Sequence, residues 1–228
     1  MPRWVEYSPE KLNRSSRYLT SVGWLLGALV AVLFFAVHKL FPETISLWLA
    51  MGFSLLLTGA FHEDGLADTA DGFGGAFSRE KKLTIMKDSR IGTYGASALV
   101  MALLGKYLLL IENSDIIIAL LIAYPLSRAT AVSLIADMNY VSDTDTSKSK
   151  PLANQLTKTD LFILLLTALP ALFFLSLLHA AILLAALITV RVLAKAYLNK
   201  QIGGYTGDTL GAVQQISELT IYGVLLAL

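Results

Sequence analysis

The chain of 228 residues contains no cysteine and only three histidines. The absence of cysteine excludes disulfides, thiolate zinc sites, iron–sulfur clusters and a cysteine nucleophile. No Gly-x-Ser-x-Gly sequence is present, so a serine hydrolase is not supported. A Walker loop and a Gly-x-Gly-x-x-Gly fingerprint are also absent. The sequence therefore excludes several common classes of catalytic site.

Charged residues are scarce as well, at 15% of the chain, with a formal net charge of +1. About a quarter of the residues are charged in a typical soluble domain. Here 55% of the residues are hydrophobic, and the mean hydropathy is +0.64. These values indicate an integral membrane protein. Because the net charge is close to zero, no overall basic field would attract nucleic acid, and no nucleic-acid partner is expected.

The sequence contains about seven apolar stretches that are long enough to cross about 30 Å of hydrocarbon. The last is the weakest, because it is short and contains Glu218; if it lies at the interface instead, six spans remain. We predict an all-α, polytopic transmembrane helical bundle, with residues 1–228 forming a single integral membrane domain. The predicted spans are residues 18–37, 45–61, 91–111, 116–136, 161–178, 180–198 and 210–228.

The distribution of lysine and arginine predicts the orientation, since basic short loops stay on the cytoplasmic side. Basic residues precede the first span and follow the second, fourth and sixth, whereas the other side has only Lys39. The N-terminus and three polar segments, including a flexible loop over residues 137–160, are therefore expected in the cytoplasm. We predict a multi-pass protein of the cell inner membrane whose first span is retained as an anchor.

Three aspartates follow the second span at positions i, i+4 and i+7: Asp64, Asp68 and Asp71. On a helix they would lie within an arc of roughly 60°. Like charges on one helix face repel one another, and a divalent cation would compensate them. Hard oxygen ligands suit Mg²⁺, so we predict a magnesium site; a solvated acidic helix face is the alternative.

Other polar residues adjoin this acidic stripe in the sequence. His62 is a candidate base, ligand or phosphate donor, or a surface residue. Arg90 could bind a phosphate oxygen or act only as a positive-inside anchor, and Asp88 could add a metal ligand or orient Arg90. The Thr206-Gly207-Asp208 turn opens the last helix, where backbone N–H groups could accept a phosphate and Asp208 could be a cap, a metal ligand or a hydroxyl acceptor.

Basic residues inside spans are costly and need a reason. We interpret Lys106 as structural, with its ammonium group extending toward the outer surface. Arg128, Arg191 and Lys195 lie in the inner halves of their spans, where they could form an anion-binding pocket or extend toward lipid headgroups. Carboxylates combined with buried cations are what phosphoryl transfer requires, because metal and cations spread the charge on phosphate oxygens.

Three motifs resemble the cobalamin synthase family, the adenosylcobinamide-GDP ribazoletransferases. They are His62-x-Asp64-Gly-Leu-Ala-Asp68-Thr-x-Asp71-Gly, Met86-Lys-Asp88-Ser-Arg90-Ile-Gly92 and Gly204-x-Thr206-Gly207-Asp208-Thr209-Leu-Gly211. Family members usually begin with an additional hydrophobic segment, and this chain starts at about the point where that segment ends.

The resemblance implies a Mg²⁺-dependent membrane enzyme that joins adenosylcobinamide-GDP to α-ribazole or its 5′-phosphate. The products would be adenosylcobalamin, or its phosphate, and GMP, with the active site at the cytoplasmic mouth. The three stripe aspartates would hold the metal on the diphosphate, and Arg90 with one or more of the span cations would neutralise its oxygens. Asp88, Asp208 and His62 remain candidates for the general base, and a homo-oligomer remains open. A CDP-alcohol-type phosphotransferase and an ion-coupled transporter are the alternatives.

Overall fold

The computed structural model describes residues 8–142 and 155–228, and both ranges are built from helices. Among these residues, the one β-type pairing is a single bridge between Tyr140 and Tyr205. Residues 143–154 of the predicted flexible loop over residues 137–160 lie outside the described residues, and its last three residues begin a helix. The helices are α1 Pro9–Ser15, α2 Leu19–Val37, α3 Glu43–Thr58, α4 Phe61–Gly75, α5 Arg79–Met86, α6 Thr93–Ile111, α7 Ile116–Ser133, α8 Lys158–Ala168, α9 Leu177–Ile202 and α10 Gly207–Ala227.

By length and composition, five helical segments in the described ranges could cross a membrane. A sixth span is obtained if the bent pair α3 and α4 is counted as one. The prediction of a polytopic helical membrane protein is confirmed; about seven spans were predicted, and five to six are found in the described ranges. The five segments are Asn13–Val37, Thr93–Ile111, Ile116–Ala136, Leu177–Ile202 and Gly207–Ala227.

The number differs because two predicted spans are not single long helices. The predicted span at residues 161–178 consists of α8, 11 residues long, followed by a 3₁₀ segment, Leu169–Phe174. At about 1.5 Å per residue, an 11-residue helix reaches roughly 16 Å, about half of the hydrocarbon thickness. The predicted span at 45–61 is mostly α3, which ends at Thr58 before an 84° bend into α4.

The bend between α3 and α4 is made by two consecutive residues with left-handed backbone. Gly59 has φ 64° and Ala60 has φ 53°. Glycine takes this conformation without cost, whereas an L side chain such as that of Ala60 rarely does. The bend turns the acidic helix α4 away from the direction of the apolar helix α3.

The last helix, α10, lies inside the bundle rather than at its edge. It packs against α4, α6, α7 and α9. Half of the residues in its apolar stretch are buried, compared with 17% in that of α9. Its polar side chains Gln214, Gln215 and Glu218 are all buried. The interfacial alternative for this helix is therefore not supported.

Helices α2 and α7 pack closely through two glycines spaced four apart. A Cβ atom on Gly23 would lie 2.6 Å from the carbonyl oxygen of Tyr124, and one on Gly27 would lie 3.2 Å from the Tyr124 Cβ. Small residues at this spacing let transmembrane helices approach backbone to backbone. The contact fixes α7, most of which is buried, in the middle of the bundle.

Candidate active site

Helix α4 carries all three aspartates of the predicted stripe, as their spacing predicts. The three differ in environment: Asp64 is exposed, Asp68 is half-buried, and Asp71 is buried. Gly65 and Gly72, on the buried side of α4, allow close contact with neighbouring helices. The stripe therefore runs from the surface into the protein instead of following a solvated face.

The start of α10 lies against the middle of α4. A Cβ atom on Gly65 would lie 2.7 Å from the carbonyl oxygen of Asp208, and one on Gly211 would lie 3.1 Å from the carbonyl oxygen of His62. The two glycines thus allow the backbones of the first and third motifs to touch. As a result, the fold places Asp208 beside the acidic stripe, although about 140 residues separate them in the sequence.

Four carboxylates come together at this crossing. The charges that act on the Asp68 carboxyl are those of Asp64, Asp208 and Asp71, all of the same sign. Among the described residues, however, no group of three or more His, Asp or Glu side chains has the geometry of a metal site. The donor chemistry still fits a hard divalent cation, because carboxylate oxygens are its preferred ligands and the cluster carries excess negative charge.

Asp71 also has a structural role. Its Oδ2 accepts the backbone N–H of Gly92 at 2.7 Å, and its Oδ1 accepts that of Gly95 at 2.8 Å. These two N–H groups belong to the beginning of α6, where the helix has no partners of its own. Asp71 therefore caps α6 and joins it to α4.

Asp88 and Arg90 lie in the connection between α5 and α6 and bind each other. The guanidinium of Arg90 donates to both carboxylate oxygens of Asp88, with Nη2 at 2.5 Å from Oδ2. The Arg90 side chain is 87% exposed, so the pair lies at the surface. This agrees with the expectation that Asp88 orients Arg90. Gly92, two residues later, donates to Asp71 and so links this connection to the stripe.

The turn before α10 is held by reciprocal capping. The Thr206 hydroxyl accepts the backbone N–H of Thr209, and the Thr209 hydroxyl accepts that of Thr206. Both threonines are buried, whereas Gly207 is exposed. Thr206 is therefore the cap, and the Asp208 carboxylate is left half-buried at the helix start, beside α4.

A cavity of about 420 Å³ adjoins this crossing. His62, Arg128, Gln214 and Gly207 line it together with apolar side chains of α2 and α7. Arg128 is 4% exposed and donates to the carbonyl oxygen of Tyr124 at 2.9 Å. Of the three cations predicted to bind anions, Arg128 is the one that lines the same cavity as His62.

Arg191 and Lys195 share a different acceptor. Arg191 Nη2 lies 2.9 Å from one carboxylate oxygen of Asp137, and Lys195 Nζ lies 2.8 Å from the other. Partial burial acts to raise the pKa of Asp137, but the hydrogen bonds from Lys195 and Arg191 outweigh it and lower the pKa. A phosphate ligand would have to share these two cations with Asp137.

Lys106 does not extend toward the outer surface, and this part of the prediction is wrong. Its side chain is buried, with Nζ 3.0 Å from Gln215 Oε1, 3.4 Å from Glu218 and 3.7 Å from Glu63. An ammonium group in the bundle interior is stable only when it is paired, and the two glutamates supply the counter-charge. Its structural role is retained, but as an internal ion pair.

The ion pair belongs to a buried network that the sequence interpretation missed. Gln215 donates to Glu63 and Gln214, and Gln214 donates to Glu218 and Ser127. The signal in the sequence was the presence of Glu63, Lys106 and Glu218 within or beside apolar helices, since such charges must find partners. The network joins α4, α6, α7 and α10 beneath the aspartates, and so it positions them.

Comparison with known proteins identifies relatives over the whole chain. The family model described as cobalamin-5-phosphate synthase matches residues 1–226. The adenosylcobinamide-GDP ribazoletransferase of Vibrio cholerae serotype O1 is 53% identical over 230 residues, which cover 100% of this chain and 88% of the relative. No solved structure gave a significant match.

Two further relatives carry the same name. The adenosylcobinamide-GDP ribazoletransferase of Vibrio parahaemolyticus is 50% identical, with 100% of this chain and 87% of the relative aligned. That of Shewanella piezotolerans is 51% identical, with 99% of this chain and 89% of the relative aligned. The three motifs that carry the resemblance lie within the aligned residues.

Proposed function

Because the chain belongs to the cobalamin-5-phosphate synthase family, we propose that it is an adenosylcobinamide-GDP ribazoletransferase. It joins adenosylcobinamide-GDP to α-ribazole or α-ribazole 5′-phosphate and releases GMP. A ribazole hydroxyl attacks the phosphorus attached to cobinamide, a P–O bond forms, and the bond to the GMP leaving group breaks. The acceptor gives up its hydroxyl proton, and the products are adenosylcobalamin, or its 5′-phosphate, and GMP.

The convergence of Asp64, Asp68 and Asp208 at the crossing of α4 and α10 is the observation that supports this function most directly. The charges acting on Asp68 are all negative, so a diphosphate substrate needs a cation to approach. Bound Mg²⁺ would supply that charge and draw electron density from the diphosphate oxygens. Asp64 and Asp68, the more accessible members of the stripe, are its proposed ligands, and Asp71 holds their helix against α6.

The chain's own cations and bases would complete the site. Arg128 lines the cavity and donates a hydrogen bond to the substrate there, and Arg90 supplies an exposed guanidinium near the stripe. Asp208 is the proposed general base, because it is half-buried beside Asp64 and precedes the cavity residue Leu210 by two positions. His62 lines the cavity and orients the acceptor.

The site lies at the cytoplasmic mouth of the bundle in a bacterial inner membrane. The support is the number of basic residues in the segments before α2 and between α4 and α6, and in the last turn of α9. This arrangement gives both substrates access to all three motifs from one side. It also distinguishes the protein from an ion-coupled transporter, whose binding groups are expected near mid-membrane. The motif Asp64-Gly65-Leu66-Ala67-Asp68 lacks the arginine expected for a CDP-alcohol phosphotransferase.

The test is GMP release from adenosylcobinamide-GDP by protein purified in detergent. We expect release that requires both α-ribazole, or its phosphate, and Mg²⁺. Release that occurs equally without either acceptor would indicate simple hydrolysis. No release under any of these conditions, from protein that melts cooperatively, would contradict the proposed function.

A further inference from the structure

The cavity of about 420 Å³ is lined mainly by apolar side chains and by a few polar ones. Its walls are apolar side chains of α2 and α7, including Leu19, Val22, Leu26, Ala131 and Val132. This volume falls within the range of about 300–1,000 Å³ found for small-molecule sites, which combine apolar walls with a few polar groups. The polar side chains of His62, Arg128 and Gln214 also line it.

The guanidinium of Arg128 has N–H groups that can donate hydrogen bonds to a ligand. In the part of the chain that the structure describes, its guanidinium makes one hydrogen bond, to the carbonyl oxygen of Tyr124, and it lies over the Tyr124 ring. A guanidinium carries several N–H donors in a fixed plane, so the others remain for a molecule in the cavity. Gln214, in contrast, is committed to Ser127 and Glu218.

The cavity also reaches the acidic cluster. Gly207, directly before Asp208, and Gly211, three residues after it, both line the cavity, and His62 precedes Asp64 by two residues. Two tyrosines, Tyr140 and Tyr205, line it from the segments joined by the β bridge, with their ring centroids 5.5 Å apart. A molecule in this cavity would therefore have aromatic and apolar contacts on one part and the carboxylates next to another.

We infer that this cavity binds the aromatic base of the acceptor nucleoside, an inference that rests on the proposed function. α-Ribazole carries a dimethylbenzimidazole ring, which is apolar apart from one ring nitrogen that can accept a hydrogen bond. The ring matches the apolar walls, Arg128 donates to the nitrogen, and the ribose lies toward Asp208. A corrin ring with its amide side chains exceeds the cavity, and guanine would need several polar partners that these walls do not offer.

Steady-state kinetics with each substrate varied separately tests the inference. Ala131→Phe fills the cavity, so we expect the KM for α-ribazole to rise at least about tenfold while that for adenosylcobinamide-GDP stays within about twofold. Ala181→Phe, on an exposed face of α9, is the matched control and should change neither KM. Equal rises for both substrates, or a rise for adenosylcobinamide-GDP alone, would overturn the inference.

A second variant avoids the risk that the larger side chain disturbs folding. Val132→Ala enlarges the cavity, and it should favour a benzimidazole riboside with bulkier ring substituents over α-ribazole by about tenfold relative to wild type. An unchanged preference would contradict the inference. A further outcome concerns phospholipid that co-purifies with the protein. If Ala131→Phe loses this phospholipid while its KM for α-ribazole is unchanged, the cavity binds lipid and the inference is wrong. Wild-type protein without GMP release would reject the proposed function itself, and the inference with it.

Discussion

Gly65 of α4 lies directly against the backbone of Asp208 at the start of α10, where a Cβ atom would come within 2.7 Å of the Asp208 carbonyl oxygen. This contact determines how closely the first and third motifs approach each other. Backbone atoms cannot move aside as a flexible side chain can, so any larger residue at position 65 must separate the two helices.

Gly65→Ala should therefore reduce both activity and stability. We expect a loss of about 1–3 kcal/mol in unfolding free energy from overpacking, and a fall in kcat of more than about tenfold because Asp208 moves away from Asp64. Gly52→Ala is the control, since nothing lies within 4 Å of a Cβ there. If the two variants had equal melting temperatures and equal turnover, the close contact would not matter to the site.

Asp71→Asn should act mainly on stability. The amide keeps one acceptor oxygen but turns a donor toward one of the N–H groups of Gly92 and Gly95, so one of the two hydrogen bonds that cap α6 is lost. We expect about 0.5–2 kcal/mol of destabilisation, which is typical for the loss of a helix cap. Thermal unfolding in detergent measures it. Asp64→Asn should leave the melting temperature near that of wild type, and the opposite order of stabilities would contradict the assigned roles.

Lys106→Gln should destabilise the bundle strongly, because it removes the ammonium group that pairs with the buried carboxylates of Glu63 and Glu218. Breaking a buried pair by removing one partner costs about 3–5 kcal/mol. Adding Glu218→Gln to the same variant should restore part of this loss, and Lys39→Gln at an exposed position should cost little. In the folded fraction, the KM for the diphosphate substrate should stay near that of wild type. A melting temperature unchanged by Lys106→Gln would show that the pair does not stabilise the bundle.

The orientation of the bundle can be measured by cysteine labelling, since the chain has no native cysteine. Phe77→Cys and Asn199→Cys lie at exposed positions on the side predicted to be cytoplasmic, and Ser114→Cys is exposed on the other. In intact cells, an impermeant maleimide should label only the Ser114 variant. The Phe77 and Asn199 variants should be labelled only after the membrane has been permeabilised. Labelling of Phe77→Cys in intact cells would place the acidic helix on the outside.

Hydropathy predicted the apolar spans, including the buried α7, and gave a weak signal for α10, whose buried side chains include polar ones. α9 has a mean span hydropathy of 2.3 and is 17% buried, whereas α10 has 1.2 and is 50% buried. The polar side chains of α10, Gln214, Gln215 and Glu218, lower its hydropathy because they bind one another inside the bundle. Hydropathy averages over a whole helix, so a helix that carries several buried polar side chains gives a weak signal.

For the candidate site as well, the sequence predicted some features and not others. Helical periodicity predicted that Asp64, Asp68 and Asp71 share a helix, because that relation is local. Other contacts depend on how helices that are distant in the sequence pack together. They are the capping of α6 by Asp71, the pairing of Asp137 with Arg191 and Lys195, and the contact of Gly65 with Asp208. Periodicity carries no information about such contacts, and the sequence interpretation did not predict them.

The dependence of GMP release on Mg²⁺ concentration in Asp64→Asn and Asp68→Asn tests most directly whether the acidic cluster of α4 holds the metal. Asparagine keeps the side-chain volume and removes the charge, so the fold should be retained while metal affinity is lost. We expect wild-type release to saturate with Mg²⁺, and both variants to fall by about 100-fold or more at limiting Mg²⁺. Near-wild-type turnover of both variants at limiting Mg²⁺ would contradict this assignment.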